Sequence, residues 1–208
     1  MNALSGMSNL RLGVLASGRG SNLQAIIDAI DQRRLNAVLA IVISNKADAP
    51  ALERARRCGT PAIFLDPKAT SGREAYDGAI LECLRKHDVE LVVLAGYMKI
   101  VTPILLDAYS NRMMNIHPSL LPSFPGLAAQ RQALEWGVKM AGCTVHFVTE
   151  GVDAGPIIRQ ATVPVYEDDT EESLSARILL EEHRLYPEAI QLYAENRLLV
   201  EGRRVRIR

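Results

Sequence analysis

Neither sign of charge dominates this chain: its 208 residues carry 24 Lys plus Arg against 24 Asp plus Glu. That balance excludes partners held by bulk charge, so neither nucleic acid nor a membrane surface is expected, and recognition has to be local. Long apolar runs are missing as well. No stretch approaches the ~20 residues that cross a bilayer, and Met1 to Leu10 has neither the basic start nor the apolar body of a secretory signal, so a cytoplasmic protein is expected. Cysteine is scarce: Cys58, Cys83 and Cys143 are odd in number, far apart and without a CxxC or Cys/His ligand spacing. A disulfide framework and a zinc site are disfavoured on that ground, and small buried thiols are expected instead. Internal repeats and low-complexity segments are also absent.

What is present is length enough for a full hydrophobic core. Residues 1–8 are small and polar and read as a disordered lead-in, with Met7 as an alternative start, which leaves 9–208 as one expected domain. Unbroken apolar runs at Leu12 to Ala16, Val38 to Ile43 and Leu91 to Ala95 suit strands buried on both faces, as in a parallel sheet. Between the first two, Leu23, Ile26, Ile27 and Ile30 follow the spacing of one helix face, and Arg73 to His87 offers a second helix. Alternation of this kind predicts an α/β, Rossmann-like fold of three αβα layers, with ligands at the carboxyl ends of the strands. After Asn115, the crowding of Pro118, Pro122, Pro125 and Gly126 predicts a mobile loop. Strands are expected again at Cys143 to Val148 and Pro156 to Val165. A last helix follows from near Thr170, with Asp169 and Glu172 as its capping box and a kink at Pro187.

Ser17-Gly18-Arg19-Gly20-Ser21-Asn22 leads from the first strand straight into the Leu23 helix, so backbone N–H groups converge at a helix N-terminus and favour an anion. The Walker loop fails for want of Gly-Lys-Ser/Thr, and the dinucleotide fingerprint fails because Leu23 stands at its third glycine. A phosphomonoester fits better, although the same turn also reads as a mere tight connection. In Met113 to Pro122, an extended chain puts Asn115 and His117 on one face, with Pro118 holding His117 out of the helical region. An amide and an imidazole side by side can both donate to an oxygen that acquires negative charge, as attack on a formyl carbon requires. Single histidines are more often structural, which is the reading for His87 and His183. Glycines flank Asp153 within Thr149 to Pro156, making either a turn-forming Asp or a carboxylate that favours a protonated His117 if it lies near.

Seven segments, SGRGSNLQAI from Ser17, SNKAD from Ser44, SGREAY from Ser71, VVLAGYM from Val92, NIHPSLLP from Asn115, RQALE from Arg131 and VHFVT from Val145, run in this order. The chain resembles the phosphoribosylglycinamide formyltransferases, a folate-dependent formyltransferase family, from about Arg11 to about Asn196. The resemblance implies a mixed, mostly parallel seven-stranded sheet and transfer of a formyl group from 10-formyltetrahydrofolate to the amine of glycinamide ribonucleotide. It implies Asn115, His117 and Asp153 as catalytic residues, with His117 the proton donor. For the ribonucleotide it implies Gly20, Ser21 and Asn22 together with Leu179, Leu180, Glu181 and Glu182; an acid at Glu182 also reads as a solvated helix charge, but its place beside the Pro187 kink favours exposure to a cleft. For the folate it implies Arg73, Met98, Lys99, Ile100 and Val101, with Asn115 and the loop of Thr149, Glu150, Gly151, Val152 and Asp153. The donor is then a co-substrate, with no tightly bound cofactor and no metal, and a homodimer is an open assembly. Ala128, Ala129 and Gln130 depart from a stretch that commonly contains histidine in that family, and Lys99 stands where arginine is common, which keeps the charge but loses the fork.

Competing readings share parts of this set. Methionyl-tRNA formyltransferase and formyltetrahydrofolate deformylase resemble it in the Asn, His and Asp constellation, but the first is expected to carry a basic C-terminal domain and the second an N-terminal regulatory one. A non-catalytic nucleotide-binding module would be expected to lose Asn115, His117 or Asp153. A metal hydrolase built on His117, His146 and Asp153 lacks a ligand-spacing motif.

Overall fold

The computed structural model describes residues 9–208; the lead-in expected over 1–8 lies outside them. Along the chain come β1 (Leu10–Ala16), α1 (Ser21–Asp31), β2 (Ala37–Ser44), α2 (Pro50–Arg57), β3 (Ala62–Phe64), α3 (Arg73–Lys86), β4 (Leu91–Leu94) and α4 (Pro103–Ala108). The second half adds β5 (Met113–His117), α5 (Ala129–Glu135), β6 (Met140–Phe147), β7 (Ile157–Pro164), α6 (Glu171–Ala194), β8 (Leu198–Glu201) and β9 (Arg204–Ile207). All strands join one sheet in the order β3-β2-β1-β4-β5-β6-β7-β9-β8. Pairing is parallel from β3 through β5 and antiparallel on both sides of β6.

The alternation of side chains along each strand builds the layers. Leu12, Val14 and Ala16 of β1 pack on one face with Leu23 of α1, Leu52 of α2, Ala133 of α5 and Ile190 of α6. On the other face Leu15 packs with Ile41, Ile43, Ile80 of α3 and Leu105 of α4. Tyr186, fully buried in α6, shares its hydroxyl between the carbonyls of Leu94 (3.0 Å) and Met114 (2.9 Å), so the last helix is fastened to the ends of β4 and β5. Among the described residues no helix is long and apolar enough to cross a membrane.

Three expectations need correction. The sheet has nine strands rather than seven, because the tail after Asn196 forms a hairpin. Gly202, at φ +61, supplies the left-handed turn, and β9 attaches to β7 through Ile157 and Arg204. The cap of α6 is Thr170 with Ser173, their side chains and backbone amides bonded reciprocally, while Asp169 is drawn off into a two-pronged bond with Arg177 at 2.8 Å. Helix α6 runs from Glu171 to Ala194 as one element with Pro187 inside it. Of the thiols only Cys143 is buried, which pushes its pKa up to about 12; Cys58 is exposed beyond α2 and Cys83 half-buried on α3.

Candidate active site

The chain leaves β1 toward β2 and β3 on one side and later toward β4 and β5 on the other, and the carboxyl ends of β1 and β4 are where open α/β sheets of this kind bind ligands. Gly20 takes φ +71 at the start of α1, and a Cβ on it would stand 2.9 Å from the Cα of Ala51, so no larger residue fits the turn. The first intrahelical bond runs from Gln24 N to Gly20 O at 2.9 Å, so the amides of Ser21, Asn22 and Leu23 have no partner within the helix. Such amides at the positive end of a helix suit a phosphate. The Asn22 amide nitrogen donates to Glu182 at 2.8 Å, while its oxygen has no partner.

Glu182 is neither the solvated helix charge nor the exposed group that its place beside Pro187 suggests; it is only 7% exposed. Burial raises its pKa, and the Asn22 hydrogen bond offsets this in part. Its neighbours are placed differently. Leu180 is 71% exposed and Glu181 pairs with Arg184 at 2.7 Å, so only half-buried Leu179 and Glu182 turn inward.

Strand β5 carries the second cluster. Met114 and Ile116 enter the core shared with α6, which leaves Asn115 and His117 on the opposite face. His117 Nδ1 lies 3.3 Å from Asp153, both side chains being nearly buried at 6% and 12% exposure. Its Nε2 lies 2.9 Å from the carbonyl of Phe124. Both ring nitrogens thus face acceptors. Asp153 sits at φ +50, left-handed for a non-glycine residue, and that twist brings its carboxylate inward. Gly155 permits the loop to close, since a Cβ there would meet the carbonyl of Phe147 at 1.8 Å.

Asp153 gathers the site. It accepts from the Gly126 amide at 2.8 Å and lies 3.5 Å from the Asn115 amide nitrogen and 3.7 Å from His146 Nε2. Burial pushes its pKa up, but His146, the Gly126 amide and His117 outweigh this and hold it below the usual carboxylate range. His146 itself lies 3.2 Å from the Asn115 amide nitrogen, with Nδ1 2.8 Å from the Phe147 carbonyl. In the sequence His146 stands out only as a metal-ligand candidate; the signal that finds it is the cross-strand register of β5 with β6, which sets Asn115 opposite His146. Among the described residues no group of three or more His, Cys, Asp or Glu is arranged to hold a metal ion.

The residues expected to hold folate fall into two groups. Met98, Lys99 and Ile100 line a cleft of about 410 Å³ with Arg73 and Tyr76, and Lys99 lies 5.9 Å over the Tyr76 ring. Arg73 donates to the Ile100 carbonyl at 3.1 Å, and Val101 is buried below. In the loop from Thr149 to Asp153 the first four residues are exposed, and Asp153, at its far end, reaches His117.

A family model described as formyl transferase matches residues 10–190. The chain belongs to the formyl transferase family. It is 47% identical over 189 residues to the phosphoribosylglycinamide formyltransferase of Escherichia coli (strain K12), covering 91% of this chain and 89% of that one. Its fold matches the crystal structure of glycinamide ribonucleotide transformylase 1 from Symbiobacterium toebii with TM-score 0.97 and 60% identity, over 100% of this chain and 98% of the other. A formyltetrahydrofolate deformylase from Pseudomonas syringae is a more distant formyl transferase relative, with TM-score 0.88, 31% identity, and coverage of 96% and 66%.

Proposed function

We propose that the chain transfers the formyl group of 10-formyltetrahydrofolate to the amine of glycinamide ribonucleotide, giving formylglycinamide ribonucleotide and tetrahydrofolate in de novo purine biosynthesis. The observation that carries this reading is the largely buried cluster of Asn115, His117 and Asp153 around β5, which is separated in the sheet only by β4 from β1, whose carboxyl end runs into a helix N-terminus with unpartnered amides. That pairing supplies an oxyanion site and a phosphate site at the same sheet.

The ribonucleotide phosphate sits on the amides of Gly20, Ser21 and Asn22, with Glu182 fixing the Asn22 side chain. The donor lies along Met98 to Val101, Arg73 and the Thr149 to Asp153 loop. The amine lone pair attacks the formyl carbon, a C–N bond forms, and the carbonyl electrons move to oxygen. Asn115 and protonated His117 stabilise that oxygen; the Phe124 carbonyl occupies its place on His117 until substrate enters. The amine proton then passes, with His117 and Asp153 assisting, to the folate nitrogen, whose bond to carbon breaks. Two small molecules in the cytoplasm are the partners this chemistry requires, with no tightly held cofactor.

The second reading, formyl-folate hydrolysis, is favoured by the likeness to the deformylase. Absorbance of the deformylated folate, followed in mixtures with and without the ribonucleotide, separates the two. Turnover only with the ribonucleotide is expected; equal turnover without it assigns water as the acceptor.

A further inference from the structure

We propose that the buried hydroxyl of Ser17 is a positioning group that holds the folate-lining segment in register with the ribonucleotide loop, an inference that rests on the assignment of those two segments above. Ser17 is 2% exposed and directly follows β1, where it opens the turn to α1. Its hydroxyl donates to the side-chain oxygen of Asn45, just past β2, at 2.6 Å. The same oxygen accepts the backbone N–H of Met98, just past β4, at 2.9 Å, and the Ser17 amide donates to the Gly96 carbonyl at 3.1 Å. Three strand ends therefore meet at one hydroxyl, and its single proton and its lone pair both have partners.

The rest of the segment is pinned from the other side. Arg73 donates to the Ile100 carbonyl at 3.1 Å, and the carboxylate of Asp77 accepts from the Thr102 amide at 2.6 Å. Arg73 and Asp77 stand one turn apart on α3, so they fix the outer end of the 98–102 stretch to that helix. Among the described residues Ser17 is what bonds its inner end, and Ser17 belongs to the loop that continues into Gly20. On the loop side, Arg54 completes the frame by donating to the Arg19 carbonyl at 2.9 Å. Without the hydroxyl, Met98 N–H loses its acceptor and the folate-lining backbone can shift against the site where the amine is presented.

Loss of one such part-buried bond corresponds to roughly a 3- to 10-fold change in an equilibrium. Ser17→Ala is expected to raise the KM for the formyl donor by about that factor at saturating ribonucleotide, with kcat within about threefold of the parent. Ser17→Thr, which keeps the hydroxyl, should return KM toward the parent value. A donor KM within twofold of the parent in Ser17→Ala overturns the inference, whatever happens to Tm, and so does an equal rise in Ser17→Thr. If Ser17→Ala does not fold, Asn45→Ala decides: a rise of about threefold supports the role, since the hydroxyl is no longer aimed, and an unchanged KM overturns it. An inactive parent protein would instead refute the assigned reaction.

Discussion

Replacing Asp153 by Asn removes a charge while keeping a side chain of the same shape and an oxygen for the Gly126 amide. The charge lies 3.3 Å from His117 Nδ1 with both groups nearly buried, and at an effective dielectric of about 20 that separation is worth about 5 kcal/mol. Desolvation takes part of this, and the Asp153 charge is shared with His146 and Gly126, so the loss of transition-state stabilisation should be nearer ~3–4 kcal/mol, or 100- to 1,000-fold in kcat. Both KM values should change much less, because neither substrate is held by Asp153 alone. Steady-state kinetics with both substrates, on protein shown by circular dichroism to be folded, measures this. Stability gives a second readout. The folded pKa of Asp153 is depressed, so its contribution is present above the unfolded value of about 3.9 and lost as pH falls through the folded one. Asp153→Asn should therefore melt below the parent at neutral pH, with the gap closing in acid. A kcat reduced less than tenfold would refute the role given to Asp153.

Asn22→Leu, or a bulky residue at Gly20, should raise the KM for the ribonucleotide at least tenfold more than that for the donor, since the loop binds and does not react; equal damage to both constants would indicate misfolding. Glu182 has the opposite pH sign to Asp153: its folded pKa is raised, so the native state keeps a proton that the unfolded chain has released, and stability falls as pH rises through that window. Glu182→Gln should accordingly raise Tm at pH 8 relative to the parent while weakening ribonucleotide binding; a lower Tm at that pH would show the ionised carboxylate to be stabilising. Activity should survive strong chelators, and a requirement for added zinc or magnesium would contradict the oxyanion mechanism.

The parts of this molecule written in continuous chemistry were readable from the chain. Apolar runs gave β1, β2 and β4, and the alternation through Met113 to His117 placed Asn115 and His117 on one face, as the structure has them. The formyl transferase resemblance rested on seven separated segments, and the family match over 10–190 agrees with it. What escaped depends on pairing across the sheet. His146 is one apolar-flanked histidine until β6 sets it opposite Asn115, and Glu182 is one of several acids on a helix until α6 packs it against Asn22. The hairpin of β8 and β9 escaped because its strands are only four residues each and β9 alternates arginine with Val205 and Ile207, so that docking on β7 is what gives them a sheet to extend. Cap choice at α6 turned on competition: Arg177 claims Asp169, so Thr170 takes the cap.

Whether the formyl carbon moves from folate to an amine is tested most directly by giving the protein a donor labelled with ¹³C in the formyl group, together with glycinamide ribonucleotide, and following the label by NMR and mass spectrometry. The label should appear in the ribonucleotide as a formamide, one per turnover, with tetrahydrofolate formed in equal amount. Label released as free formate, or remaining on the folate after long incubation with both substrates, would contradict the transfer.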